Sequence, residues 1–102
     1  MILEAAMLQV RLQMKERFEA AFRDASSIIA SMPGYHAHEL HRCLEVPAKY
    51  LLLVWWERLE DHTIGFRTSP GYQEWKRLLH HFYDPFPTVE HFETIHPGPL
   101  PR

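Results

Sequence analysis

The sequence has little of what several common classes of protein require. It contains one cysteine, Cys43, so no disulfide can form within the chain. Its longest strongly apolar stretch, residues 50–56, is far shorter than the roughly 20 residues of a membrane-spanning helix. The N-terminus lacks the basic segment followed by an apolar run that marks a secretory signal. We therefore expect a protein of the reducing cytoplasm with no membrane partner.

Charge and motif content exclude further classes. Eleven basic and thirteen acidic side chains give a formal net charge of −2, and no dense Lys/Arg cluster is present, so we expect no nucleic acid partner. The chain has no GxGxxG, phosphate loop, HExxH, CxxC or GxSxG motif. Nicotinamide, flavin and nucleotide chemistry usually leave such motifs. Any reaction is thus expected to use no cofactor and to depend on the reactivity of the substrate.

The length and composition indicate one small globular domain. The chain has 102 residues, of which 46% are hydrophobic. We expect the domain to span residues 1–95 and a proline-rich tail to follow at 96–102.

Hydrophobic periodicity and turn signals predict an alternation of strands and helices. The helix at 14–31 has apolar residues three and four apart and ends at Pro33-Gly34, and the last helix begins at Ser69-Pro70. The order β-α-β-β-α-β predicts an α+β domain of ferredoxin-like, split βαβ topology, with helices on one face of an antiparallel sheet. The predicted elements are strands at 2–10, 35–44, 50–57 and 88–95, and helices at 14–31, 60–67 and from 69 onward.

A sheet with helices on one side leaves its other side open. We expect this open face to be lined by residues such as Leu8, Leu52, Trp56 and Phe92. An apolar patch of that size is normally covered. The sequence therefore predicts a homodimer.

Histidine is unusually frequent, with eight residues. One interpretation makes His36, His38 and His91 a metal site. The other, which we favour, makes alternate histidines on a strand half-exposed polar positions, with no metal. A histidine in a cleft is also a candidate general base, because imidazole titrates near neutral pH. The candidates for this role are His38, His62 and His91.

Other side chains have two interpretations each. Phe66, Tyr72, Trp75 and His81 could bind a flat aromatic ligand, since pockets are mostly apolar with a few polar groups; core packing is the alternative. Glu4 stands alone among the apolar residues of the first strand. It could be a base of raised pKa, or it could pair with an arginine across a dimer interface.

Several segments resemble the antibiotic biosynthesis monooxygenase family of dimeric α+β barrels. They are MILEAAMLQV, IIASMPGYHAHELHRCLE, YLLLVWWERLEDHTIGFRTSPGYQEWKRLL and FYDPFPTVEHF. The similarity extends from Met1 to about Ile95, and the F-R-x-S-P-x-Y pattern is moderately specific for the family.

The resemblance implies a barrel formed by the sheets of two protomers, with one cleft per protomer between sheet and helices. Catalytic relatives oxidise aromatic phenols to quinones with molecular oxygen and without metal or flavin. Other relatives bind and degrade haem through an asparagine, a tryptophan and a histidine. The corresponding positions here are Met7, Phe66 and Lys76, so the haem set is not matched, although His80 or His81 could replace the axial ligand.

We therefore predict a cofactor-independent monooxygenase acting on a small phenol or hydroquinone, with a non-catalytic small-molecule binder and a haem-degrading enzyme as alternatives. The predicted site residues are His38, His62 and His91 as catalytic histidines, with Phe66, Tyr72, Trp75 and His81 as substrate-binding residues.

Overall fold

The elements follow one another in the predicted order. A computed structural model describes residues 1–99 and confirms the ferredoxin-like α+β fold. Residues 100–102 of the predicted tail lie outside the described residues. The elements are β1 (Ile2–Gln9), a 3₁₀ turn (Leu12–Met14), α1 (Lys15–Ala30), β2 (Tyr35–Arg42), β3 (Lys49–Trp56), a π-helix (Asp61–Phe66), α2 (Pro70–Leu79) and β4 (Val89–Glu93).

The four strands form one antiparallel sheet in the order β2-β3-β1-β4. Residues that pair across an antiparallel sheet point to the same face. Glu4 lies opposite Val54 on β3 and opposite His91 on β4. Strand β1 is therefore central and places alternate side chains under the helices.

The face covered by the helices carries the hydrophobic core. Side chains of β1 and β3 on this face are almost fully buried and pack against α1 and α2. On β1 and β3 they are Ala6, Leu8, Tyr50, Leu52, Val54 and Trp56, and on the helices they include Phe18, Phe22, Ile29, Trp75 and Leu79. Burial on this scale is the main stabilisation of a small domain.

The prediction for the open face was wrong at three of four positions. Leu8, Leu52 and Trp56 lie under the helices, and only Phe92 faces the open side. Strand β3 is apolar at nearly every position, so its sequence does not show which set faces the core. The apolar residues of the open face are instead Leu3, Ala5, Met7, Leu51, Leu53, Trp55 and Phe92.

Helix α1 ends and helix α2 begins at the signals predicted from the sequence. Gly34 has φ +84°, which favours glycine, and a Cβ there would lie 2.2 Å from the Asp61 carboxylate. At the start of α2 the Ser69 hydroxyl accepts a hydrogen bond from the Tyr72 backbone N–H at 3.2 Å. No helix among residues 1–99 combines the length and apolarity needed to cross a membrane.

Candidate functional site

A cavity of about 370 Å³ lies between the sheet and the helices. Its wall is mainly aromatic and aliphatic, and four residues, Glu4, His62, Arg67 and His80, supply a carboxylate, two imidazoles and a guanidinium. A cavity of this size is in the range of small-molecule sites. The apolar lining comprises Ala6, Leu8, Phe22, Leu52, Phe66, Tyr72, Trp75, Leu79, Tyr83, Phe86, Pro87 and Val89.

Glu4 is a buried carboxylate in the wall of this cavity. It is 5% exposed, and its Oε1 accepts a hydrogen bond from Trp56 Nε1 at 2.9 Å. His62 Nε2 lies 3.4 Å from the same oxygen. Among the described residues no donor contacts the second oxygen, Oε2. One carboxylate oxygen is thus held by the protein while the other remains available to a molecule in the cavity.

Burial determines the acidity of this carboxyl group. Removal from water raises the pKa of Glu4 from 4.5 to about 7, while the Trp56 hydrogen bond and the charge of Arg67 oppose the rise. A group with a pKa near 7 is both available as a base and basic enough to take a proton at neutral pH. Glu4 therefore has the properties of a general base.

His62 and His91 extend the polar cluster from Glu4 toward the edge strand β4. His62 Nδ1 lies 2.7 Å from His91 Nε2, and the His62 ring stacks on Trp56 with centroids 5.6 Å apart. Burial, aided by the charges of Arg67 and His91, lowers the pKa of His62 to about 3. Burial also lowers the pKa of His91. Both rings are therefore neutral near pH 7.

The π-helix explains why His62, Phe66 and Arg67 reach the same cavity. Its wide turn is closed by the Arg67 backbone N–H, which donates to the His62 carbonyl at 3.2 Å. His62 and Phe66 are both buried by it, and Arg67 follows at its end. Such turns are rare and occur often at functional sites.

The structure brings together four of the seven predicted site residues. His62, Phe66, Tyr72 and Trp75 line the cavity, and His91 contacts it through His62. His38 does not line it; its ring packs against Phe22 and Tyr35.

The prediction of His81 as a site residue was off by one position at the end of α2. His81 is exposed against Phe82, whereas His80 lines the cavity. Glu4, for which the sequence offers both a base and an interface partner as interpretations, lies buried on the face covered by the helices. Arg67 was missed, although it lies in the FRTSPGY segment.

The metal interpretation of His36, His38 and His91 is wrong. Strands β2 and β4 are opposite edges of the sheet, three strand spacings or about 14 Å apart. Within residues 1–99 no cluster of three or more His, Cys, Asp or Glu side chains could hold a metal ion.

Comparison with known proteins identifies the lineage of this fold. The family model of antibiotic biosynthesis monooxygenases matches residues 1–78. The chain belongs to the antibiotic biosynthesis monooxygenase family. The chain is also similar to the uncharacterized protein YczJ of Bacillus subtilis (strain 168), with 59% identity over 95 residues, covering 93% of this chain and 100% of YczJ.

Solved structures of the antibiotic biosynthesis monooxygenase family share the same architecture. A Bordetella bronchiseptica protein described as a candidate member superposes with a TM-score of 0.89 at 33% identity, over 93% of this chain and 97% of that one. A variant of SnoaB, a cofactor-independent oxygenase of Streptomyces nogalater, superposes with a TM-score of 0.81 at 18% identity, over 99% and 97% of the two chains. The SnoaB likeness shows the fold alone.

The three positions that correspond to the residues of the haem-degrading relatives do not lie together in the structure. Met7 lies on the open face and is 49% exposed, while Lys76 is exposed with its ammonium group 5.8 Å from the Tyr72 ring centroid. Only Phe66 of the three lines the cavity.

Proposed function

We propose that this protein is a cofactor-independent monooxygenase that oxidises a small phenol or hydroquinone with molecular oxygen. The observation that carries the proposal is a carboxylate of raised pKa, Glu4, in the wall of an aromatic cavity. Membership of the monooxygenase family supports oxygen as the co-substrate. The cavity lining and the need for an acidic proton support this substrate class.

Glu4 is a better base than the histidines for this reaction. A phenol placed against the cavity wall would give its hydroxyl proton to Glu4 Oε2, the oxygen that accepts no hydrogen bond from the described residues. His62, with a pKa of about 3, is a much weaker proton acceptor than a carboxylate with a pKa of about 7. His38 does not line the cavity.

The remaining chemistry belongs to the substrate and oxygen. The electron-rich phenolate transfers electrons to oxygen, and a carbon–oxygen bond forms at a ring carbon that bears a hydrogen and lies ortho or para to the hydroxyl. The peroxide oxygen takes back the proton from Glu4. Loss of the ring hydrogen and of hydroxide, which leave together as water, then produces the second carbonyl of the quinone. One oxygen atom of O₂ enters the product and the other leaves in water.

The cavity assists this sequence in two ways. Phe66, Trp75 and Tyr72 offer ring faces and edges that hold a flat substrate and exclude water. Arg67 lines the same cavity, and its side chain has no ion-pair partner among the described residues. Its positive charge would stabilise the phenolate that forms when Glu4 accepts the proton.

The test is oxygen consumption by the purified protein with a panel of hydroquinones and anthrones, in buffer containing a metal chelator. We expect one molecule of oxygen consumed per molecule of quinone formed, because the substrate supplies all the electrons. A haem titration followed at the Soret band runs in parallel.

Two other results would contradict the proposal. Quenching of tryptophan fluorescence by the same compounds without oxygen uptake would indicate a small-molecule binder, since Trp75 lines the cavity. A saturable Soret shift at one haem per chain would favour the haem alternative.

We further propose that the active form is a homodimer joined through the open face. This face is apolar across β1 and β3, β4 adds Phe92 beside the exposed Glu90, and Met7 and Phe92 are 49% and 50% exposed. Dimeric assembly is also what the family relationship implies. Phe86 and Pro87 line both the cavity and the groove on the open face, so a partner copy would pack beside the cavity.

Leu53→Arg is expected to convert the dimer to monomer. The substitution puts a charge in the centre of the open face, and twofold symmetry buries it twice in the interface without a partner. Sedimentation velocity should show a weakening of dimerisation by at least about tenfold. Leu44→Arg, at a position 91% exposed outside the sheet, is the matched control and should remain dimeric. A wild-type protein that sediments as a monomer would refute the dimer.

A further inference from the structure

We propose that His91 is a positioning residue that acts through His62: it donates a hydrogen bond to His62 Nδ1 and so turns the His62 Nε2–H toward Glu4. The inference rests on the proposed function only in naming Glu4 as the base. It assigns to the two histidines a supporting role in place of the catalytic role predicted from the sequence.

Three elements converge to build this arrangement. Glu4 on β1 and His91 on β4 are direct cross-strand partners, and His62 reaches down from the π-helix to contact both. Stacking on Trp56 fixes the plane of the His62 ring, and the same indole holds Glu4 Oε1. Each ring nitrogen of His62 therefore faces one defined neighbour.

The protonation states then determine the direction of the hydrogen bonds. A neutral imidazole carries one N–H, so His62 donates from one nitrogen and accepts at the other. Donation from Nδ1 to His91 would leave the Nε2 lone pair 3.4 Å from the Glu4 carboxylate, which is repulsive. Donation from Nε2 to Glu4 leaves Nδ1 to accept from His91 at 2.7 Å. Ionised Glu4 therefore selects the second arrangement.

A hydrogen bond from His62 to Glu4 would stabilise the ionised form of Glu4. A hydrogen bond donated to a carboxylate stabilises the ionised state and lowers its pKa. The 3.4 Å separation between His62 and Glu4 is long for a hydrogen bond, and such contacts commonly shorten once substrate is bound. His91 is half-buried and contacts His62 at the ring nitrogen that does not face Glu4. It does not line the cavity.

Other charged or titratable groups also face the cavity, and they are common to all variants below. Arg67 follows the π-helix, Tyr72 lies on α2, and His80 and Tyr83 come from the segment after α2. None of them is bonded to His91. A change in Glu4 titration that depends on the residue at position 91 would thus report the His62 contact.

The experiment compares His91→Leu with His91→Gln in protein labelled with ¹³C in glutamate side chains. Leucine cannot donate to His62 Nδ1, whereas the glutamine amide places an N–H close to the lost Nε2. We expect the Glu4 carboxyl titration to move about one pH unit higher in His91→Leu. It should stay near the wild-type value in His91→Gln. His36→Leu, at an exposed position on β2, is the control.

A second measurement needs no variant. The ¹⁵N chemical shifts of wild-type His62 at pH 8 should show the proton on Nε2. A proton on Nδ1, or equal displacement of the Glu4 titration by leucine and glutamine, or no displacement by either, would overturn the proposal. These readouts do not require turnover, so loss of the proposed oxygenase activity and failure of the histidine arrangement are separate results. If the protein is active, the acid limb of its pH–rate profile should shift with the Glu4 titration in His91→Leu.

Discussion

Glu4→Gln should abolish most turnover and at the same time stabilise the fold at alkaline pH. Glutamine keeps an oxygen that can accept from Trp56 Nε1, so the local packing is preserved. It cannot take a proton at neutral pH, and loss of a general base costs about 10² to 10⁴ in rate. The expected loss is in kcat/KM for substrates that must be deprotonated, measured as oxygen consumption at pH 7.5.

The gain in stability follows from the sign of the pKa shift. Because the pKa of Glu4 is raised from 4.5 to about 7 in the folded state, the folded protein binds more protons than the unfolded chain between these values. The contribution of Glu4 to wild-type stability therefore falls as pH rises from 4.5 through 7, by a total of about 3 kcal/mol. Glu4→Gln lacks this loss.

Urea unfolding followed by tryptophan fluorescence at pH 5 and pH 8.5 measures the effect. Glu4→Gln should exceed the wild type in stability by about 2.5 kcal/mol more at pH 8.5 than at pH 5. The control Glu16→Gln, at an exposed position in the first turn of α1, should show the wild-type pH dependence and full activity. A Glu4→Gln variant that keeps wild-type turnover would exclude Glu4 as the base.

The strands and helices could be predicted because each depends on local patterns. The apolar spacing of α1, the Pro33-Gly34 exit and the Ser69-Pro70 start are readable from neighbouring residues, and all three occur where expected. The face of β3 could not be predicted in the same way. Its residues are apolar on both sides, so only the positions of the helices decide that Trp56 is buried and Trp55 is not.

The candidate site shows a similar division. Tyr72 and Trp75 could be identified because aromatic residues at helical spacing share one face, and Phe66 because it lies beside Gly65 where two helical segments meet. His80 was missed by one position, since the end of a helix is poorly defined by sequence. The role of Glu4 depends on contacts across 52 residues to Trp56, and no local pattern contains that information. A single charged residue within an apolar strand was the available signal.

His62→Phe should remove a large part of the acid sensitivity of the protein. The phenyl ring can keep the stacking contact with Trp56 but cannot take up a proton. The pKa of His62 is about 3 in the folded state against 6.5 without the protein environment. At the His62 site the unfolded chain therefore binds more protons between pH 3 and 6.5, and the contribution of His62 to wild-type stability falls as pH decreases over that window, by a total of about 5 kcal/mol.

Glu4 and His62 oppose each other where their windows overlap. Between pH 4.5 and 6.5 the Glu4 contribution rises with acidification while the His62 contribution falls, so their effects on the free energy of unfolding largely cancel. Below pH 4.5 the Glu4 contribution no longer changes, and acidification removes only the stabilising contribution of His62. Acidification also removes the stabilising contribution of Glu19, whose pKa is lowered by hydrogen bonds from Tyr50 and Arg42. The stability maximum is thus expected within the overlap.

The difference in slope between wild type and His62→Phe isolates the histidine. From pH 4.5 to 3 the free energy of unfolding of the wild type should fall by about 1.1 kcal/mol more per pH unit than that of the variant, which corresponds to about 0.8 proton. The His62→Phe variant also loses its contact with His91, but a stability cost that does not change with pH leaves the slope of the free energy of unfolding unaffected. His36→Phe, at an exposed position, should retain the wild-type slope. Equal slopes in wild type and His62→Phe would mean that His62 is not held neutral beside Glu4, and the arrangement that supports the base would lose its physical basis.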